Sequence, residues 1–179
     1  MCTGNIIEFG TKVITHELVH GKSILEVGSY DVNGSLKDIV MGFKPKLYVG
    51  VDIREGPNVD IVCNIYDIEH LFGMEVFDGV ICTEVLEHVE DWCAAIYNLR
   101  QVVKPGGFLL ITVPTVGFPY HEYPSDYWRF TLDDFRKIFY DFEWKSWKQH
   151  SDPGVCILIN KPLVYIYADM NIPKIRRVV

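Results

Sequence analysis

An α/β fold, built on a doubly wound and mostly parallel sheet closed by a C-terminal antiparallel hairpin, is what this sequence predicts. Three observations carry the prediction. Short apolar runs of strand length recur along the chain, followed by turn residues and a helix-period pattern. That alternation implies parallel strands covered by helices on both faces. Near the C-terminus the rhythm changes: two strand-like runs flank Asp152-Pro153-Gly154, a hairpin signal.

Taken in order, Ile14 and Leu18 before Gly21 suggest a covering helix, and Lys22 to Val27 reads as a first buried strand ending at Gly28. Leu36, Ile39, Val40 and Phe43 then fall at i, i+3, i+4 and i+7, one face of a helix. Leu47 to Val51, Val59 to Cys63 and Val76 to Cys82 are the next three strands. A helix follows with Trp92, Ala95, Ile96, Leu99 and Val103 on one stripe, capped by Asp91. Lys104-Pro105-Gly106-Gly107 reads as its stop, and Phe108 to Val113 as a fifth strand. Thr131 with Asp134 three residues later looks like a capping box, opening a helix with Leu132, Phe135, Ile138 and Phe139 inward. Phe142 to Gln149 and Val155 to Asn160 complete the hairpin, giving one domain over residues 1–161 and a tail at 162–179 with no element assigned.

Bulk properties exclude several function classes. The chain has 179 residues, of which 49% are hydrophobic and 23% charged, the range of ordinary globular domains. Its formal charge is −7, with no dense basic run before Lys174, Arg176 and Arg177, which argues against a phosphate-dominated nucleic-acid binder. Five cysteines, an odd number without C-x-x-C spacing, point to a reducing, cytoplasmic compartment. No run of about 18 apolar residues is present, so no membrane insertion is expected.

In an open α/β sheet, ligands bind beyond the carboxyl ends of the strands, where strand order reverses, so the residues after each strand are the ones to inspect. After the first strand come Glu26, Gly28, Ser29, Tyr30 and Gly34. Two glycines bracket a tight turn that lets backbone N–H groups approach a ligand at a helix N-terminus. Glu26, an acid ending a buried strand, needs a partner: a ligand ammonium or a neighbouring loop N–H. Asp52 follows the second strand, eighteen residues beyond Gly34, where an acid accepts a ribose diol or else sits as a solvated turn residue beside Arg54. Asn64, after the third strand, offers an amide to an adenine edge or caps the turn before Ile68, with Asp67 the nearby alternative.

At this point the pattern resembles a family. ILEVGSYDVNG, YVGVDI, FDGVICTEVLEHVEDW and VVKPGGFLLITVP occur in the order, and near the spacings, of class I S-adenosylmethionine-dependent methyltransferases, the small single-domain type with VLEH and KPGG. The resemblance covers about residues 22 to 160 and implies a Rossmann-like, seven-strand methyltransferase fold with S-adenosyl-L-methionine as cofactor. It implies that Gly28 and its turn cradle the methionine moiety with Glu26 near the ammonium. It further implies Asp52 on the ribose, Ile53 on the adenine face, Asn64 and Ile65 at the adenine edge, and Thr83 and Glu84 near the methyl group. The sequence departs from the family at the loop: the positions two and four residues after Gly28 hold Tyr30 and Val32 instead of glycine, with Gly34 later. This reads as a longer loop in which Tyr30 covers the ligand.

The segment Pro114 to Thr131 is long for a connection and follows the fifth strand, so it is expected to overhang the same pocket. Within it, PSDYWRFT resembles methyltransferase-like proteins thought to act on sugars or glycans, implying a glycan or small-molecule hydroxyl as acceptor. Tyr120, His121 and Tyr127 are candidates for shaping the acceptor site, and Glu122 and Tyr123 lie among them. Asp126 with Arg129 has the alternative reading of an ion pair, and Trp128 and Phe130 of loop anchors. If the acceptor needs a general base, His121 is the first candidate and His88, in the VLEH turn, the second; His88 otherwise bonds a backbone carbonyl. No Cys or His spacing suggests a metal site.

Two competing readings remain. A nicotinamide-dependent dehydrogenase would require G-x-G-x-x-G, and the slots after Gly28 hold Tyr30 and Asn33. A non-catalytic S-adenosylmethionine-binding subunit would account for the altered glycine loop.

Overall fold

The computed structural model describes residues 4–121, 125–149, 154–165 and 170–178. The hairpin turn at Asp152 and Pro153, and Glu122 and Tyr123 of the long loop, lie outside the described residues. The chain runs α1 (Gly4–Val13), α2 (His16–Val19), β1 (Ser23–Val27), α3 (Lys37–Gly42), β2 (Leu47–Asp52), β3 (Ile61–Val62), α4 (Ile68–Phe72), β4 (Phe77–Thr83) and α5 (Trp92–Val102). Then come β5 (Val103–Pro114), β6 (Trp128–Arg129), α6 (Leu132–Ile138), β7 (Glu143–Gln149), β8 (Gly154–Asn160) and β9 (Arg176–Arg177).

Seven strands form one sheet in the order β3-β2-β1-β4-β5-β8-β7. The first five in that list pair in parallel, and β8 joins β5 and β7 antiparallel. The doubly wound sheet and its hairpin are therefore as predicted. Apolar runs, not alternation, mark the central strands because both faces are buried. Leu25, Val27, Val80, Cys82, Leu109 and Ile111 pack on one side. Ile24, Ile81, Phe108 and Leu110 pack on the other, against Ile6, Phe9 and Val13 of α1. Strand order reverses between β1 and β4, so the crevice at their carboxyl ends is the topological switch point.

Several boundaries differ from expectation for identifiable reasons. The N-terminal helix is two helices separated by Ile14 and Thr15; buried Ile14 still serves the core. The third strand is only two residues long, because a single register with β2 at Val51–Asp52 holds it. Lys104–Gly107 is not a helix stop: α5 ends at Val102, and β5 starts at once, with Val103 paired to Phe77 before a register shift. At Gly107 an added Cβ would lie 2.8 Å from Asp78 O and 2.9 Å from Lys104 O, so side-chain bulk is excluded there. The capping box is present, Thr131 and Asp134 each bonding the other's backbone N–H. The tail is not featureless: β9 pairs antiparallel with β6, and Ile175 is buried in the core. Among the described residues no helix is long and apolar enough to cross a membrane.

Candidate functional site

A cavity of about 280 Å³ opens at the switch point, lined by Gly28, Tyr30, Asp52, Ile53, Asn64 and Ile65 from the β1–β3 side and by Glu84, Val85, His88 and Tyr127 from the β4–β5 side, among others. That volume is near the lower end of the ~300–1,000 Å³ range of ligand sites. Of the residues read from the sequence, nine therefore meet at one space: Gly28, Tyr30, Asp52, Ile53, Asn64, Ile65, Glu84, His88 and Tyr127. Glu26, Ser29, Gly34, Thr83 and His121 do not line it.

The turn after β1 is tight because Gly28 takes φ +77°, where an added Cβ would lie 2.1 Å from Val85 Cγ2. Its amides, however, are already used. Gly28 N and Ser29 N both donate to Val51 O, at 2.9 and 3.1 Å, Tyr30 N donates to Asp52 Oδ2 at 3.2 Å, and Asp31 N to Pro57 O. Gly34 N donates to Asp31 Oδ1 at 2.8 Å, closing the loop on itself, and α3 begins only at Lys37. The expectation of free amides at a helix N-terminus is corrected here: the extended loop spends its donors internally. Tyr30 lies over the space instead, its ring against Gly56, where an added Cβ would come within 1.8 Å, with the Arg54 guanidinium 5.1 Å from its centroid.

Glu26 points to the opposite face of β1, where the Tyr48 hydroxyl donates to it. Burial pushes its carboxyl up to about 7, the Tyr48 bond opposing. The buried acid thus has a partner within the chain, and a ligand ammonium is not needed to explain it. Ser29 and Thr83 are likewise buried, at 2% exposure each.

Asp52 ends β2 at the cavity wall, its oxygens accepting long bonds from Tyr30 N and Arg54 N at 3.2 and 3.3 Å. Ile53 beside it is half exposed, presenting an apolar face. Asn64 Oδ1 accepts from Tyr66 N at 3.1 Å, the capping alternative, while the residue still borders the cavity.

The other wall is of different construction. Glu84 sits at φ +54°, a conformation that costs a non-glycine residue on the order of 1–3 kcal/mol and gathers at functional sites. It is held there by Thr112, which accepts from Glu84 N at 2.9 Å and donates Oγ1 to Glu84 Oε1 at 2.9 Å. Burial, followed by the Glu87 charge, raises the Glu84 carboxyl well above the ordinary range. Glu87 is 0% exposed, and neither of its carboxylate oxygens has a hydrogen-bond partner. His88 Nδ1 lies 2.6 Å from Ser125 O, the carbonyl bond read as its alternative role, while its ring still borders the cavity.

His121 stands behind His88, ring centroids 4.9 Å apart, with Nε2 3.8 Å from Glu87 Oε1 and Nδ1 3.1 Å from Asp126 Oδ2. Glu87 chiefly raises its pKa. The loop does not place His121 directly over the cavity because the buried Asp126 draws it inward, taking His121 N at 2.9 Å and both guanidinium nitrogens of Arg129. Asp126 and Arg129 are thus an ion pair, and Trp128 is an anchor, its Nε1 donating to Val89 O at 2.8 Å. Tyr127, from the same loop, does reach the cavity.

Glu87 is the residue the sequence reading missed. Its signal was an acid between Leu86 and His88 at the end of an apolar strand; glutamate is so often solvated that position alone did not mark it. Nor did spacing reveal that Glu87, His88 and His121 bring one donor atom each within 4.8 Å of one another. That juxtaposition is made by the fold, which brings His121 of the long loop beside the turn after β4.

Residues 4–152, most of the chain, match the family model described as "Methyltransferase domain". The chain belongs to this methyltransferase domain family. The methyltransferase domain is 29% identical over 109 residues to a ubiquinone biosynthesis O-methyltransferase of Azotobacter vinelandii, covering 51% of this chain and 44% of that protein. It is 33% identical over 92 residues to the mitochondrial ubiquinone biosynthesis O-methyltransferase of Homo sapiens, covering 51% and 23%. The chain spans less than half the length of these curated relatives. In fold, the methyltransferase domain is similar to the Burkholderia thailandensis 1,6-didemethyltoxoflavin-N1-methyltransferase, solved with S-adenosylhomocysteine. The TM-score is 0.70 at 14% identity, over 87% of this chain and 78% of that one.

Proposed function

We propose that the protein transfers a methyl group from S-adenosylmethionine to the hydroxyl oxygen of a small molecule or sugar. The observation that carries this is the cavity at the switch point, with groups suited to a nucleoside on one wall and ionisable groups on the other. The residues present fit the cofactor's nucleoside: Asp52 offers a carboxylate at the wall for a ribose diol, Ile53 an exposed apolar face for adenine, and Asn64 with Ile65 an edge. Tyr30, braced by Gly56 and Arg54, covers that half. The acceptor class is supported by the O-methyltransferases among the relatives and by the ionisable groups of the second wall.

The bound cofactor supplies an electrophilic methyl group on a sulfonium. What the chain contributes is alignment and exclusion of water, which can supply roughly 7–11 kcal/mol. Transfer to a neutral hydroxyl forms the O–CH₃ bond, breaks the S–CH₃ bond and releases one proton. The Glu84–Glu87–His88 wall is where that proton would be taken. Of the two candidate histidines, His88 borders the cavity, and His121 acts through the Glu87 carboxylate that both face.

The experiment is a thermal-shift series with S-adenosylmethionine, S-adenosylhomocysteine and NADH, followed by turnover of radiolabelled S-adenosylmethionine across phenol, catechol and sugar acceptors. Stabilisation by the first two ligands alone is expected. Stabilisation by NADH only would contradict the reading. The internally spent amides of the Gly28 turn favour a second reading, a non-catalytic binder; cofactor binding without turnover on any acceptor would support it.

A further inference from the structure

Glu87, His88 and His121 converge, with one potential ligand atom from each within 4.8 Å of the others. A backbone carbonyl only accepts, so His88 Nδ1, 2.6 Å from Ser125 O, carries its proton. A carboxylate also only accepts, so His121 Nδ1, 3.1 Å from Asp126 Oδ2, carries its own, although it lies off the line of a good hydrogen bond. In the neutral imidazoles Nε2 is then bare on both rings. These two lone pairs face Glu87 Oε1, at 3.5 Å from His88 and 3.8 Å from His121.

A buried carboxylate facing two lone pairs is repulsive, and a charge taken out of water without a partner is costly. A protonated His121, favoured by the Glu87 carboxylate, offsets charge but does not close the distance. An N–H donor at 3.5 or 3.8 Å is beyond hydrogen-bond length, and Glu87 is left with both oxygens unsatisfied. Among the described residues no Lys or Arg pairs with Glu87.

The same distances suit a cation. Ligands about 2.0–2.1 Å from a tetrahedral metal lie roughly 3.3–3.5 Å from one another. The His88 ring is held from its far nitrogen by the Ser125 carbonyl, the arrangement that orients metal-ligating histidines, and the His121 ring has the Asp126 carboxylate 3.1 Å from its own. Asp126 is itself locked by Arg129, so the His121 support is rigid.

We propose that Glu87, His88 and His121 bind one divalent first-row metal ion, of the class that takes two imidazoles and a carboxylate, such as Zn²⁺ or Mn²⁺. Three protein ligands leave a position open, as in catalytic sites, and His88 also lines the cavity. Resting on the methyl-transfer reading above, the ion there binds the acceptor's hydroxyl oxygen as a Lewis acid. The hydroxyl proton passes to Glu84 on the same wall, the O–CH₃ bond forms and the cofactor's S–CH₃ bond breaks.

The test is a calorimetric titration of chelator-treated, dialysed full-length protein with ZnCl₂ and, separately, MnCl₂, alongside S-adenosylhomocysteine. One ion per chain is expected for the wild type with at least one of the two metals, and loss of more than ~100-fold in affinity for Glu87→Gln and His121→Ala, since even supporting residues cost 10–100-fold. Retained S-adenosylhomocysteine binding shows that each variant is folded; should Glu87→Gln fail that check, the less buried His121→Ala decides. The Asp52→Ala variant keeps metal affinity while losing cofactor affinity. No stoichiometric binding of either metal to the wild type, or binding that both variants retain, overturns the site while leaving the methyltransferase reading intact. Metal binding without S-adenosylhomocysteine binding does the reverse.

Discussion

On the β1–β3 side of the cavity, almost every polar group already has a partner within the chain. The amides of Gly28, Ser29, Tyr30, Asp31 and Gly34 are all spent, Asn64 caps a turn, and even buried Glu26 has Tyr48. On the β4–β5 side the reverse holds: Glu84 is held in a left-handed conformation, Glu87 is buried without a hydrogen bond, and two imidazoles face it at 3.5 and 3.8 Å. A wall that is satisfied before ligand arrives serves positioning, and its shape is carried by backbone. A wall with unmet electrostatic demand is poised for a reaction, because unsatisfied buried charge persists only where the surrounding fold enforces it.

The comparison can be broken most sharply on the second wall. Replacing His121 by Ala is expected to lower turnover on the order of 10²–10⁴-fold with cofactor affinity unchanged, read from steady-state kinetics beside calorimetry. An unchanged rate would make His121 loop scaffolding and erase the contrast. Next in size is Asp126→Ala, which strands the Arg129 guanidinium in a buried site. A loss of about 3–5 kcal/mol in urea unfolding is expected, because breaking one half of a buried pair leaves an uncompensated charge. A loss below about 1 kcal/mol would show the loop to be loosely held.

Glu26 sharpens the comparison through pH. Its folded pKa of about 7 lies above the ordinary 4.5, so the folded state holds more protons between those values. Stability should therefore be greatest below the lower value and decline as pH rises through about 7. Glu26→Gln should flatten that slope and gain on the order of 3 kcal/mol or less at pH 8, an upper bound since Tyr48 still needs an acceptor. Thermal melts from pH 5 to 8 with parallel slopes for both proteins would show that Glu26 is not the group responsible.

Much of the fold was legible because strand burial writes apolar runs and caps write short motifs. The Asp91 and Thr131 caps and the β1, β2, β4 and β8 cores all follow from local chemistry. Part of the site was legible for the same reason: Asp52 and Asn64 follow directly from strand ends, and Glu84 came through the family resemblance. What escaped was set by tertiary contact. The β6–β9 pair joins residues almost fifty apart with only two residues per strand, too short for any periodicity. The coming together of His121 and Glu87 depends on the Asp126–Arg129 anchor drawing the loop inward, and Glu26 turned away because alternation along β1 puts it opposite Leu25 and Val27.

The most direct measurement is a calorimetric titration of S-adenosylhomocysteine into the wild type and Asp52→Ala. The account predicts one saturable site in the wild type and an affinity at least about tenfold weaker in the variant, which loses the charged partner of the ribose diol. Equal affinity in the two proteins would contradict the placement of the cofactor against the β1–β3 wall.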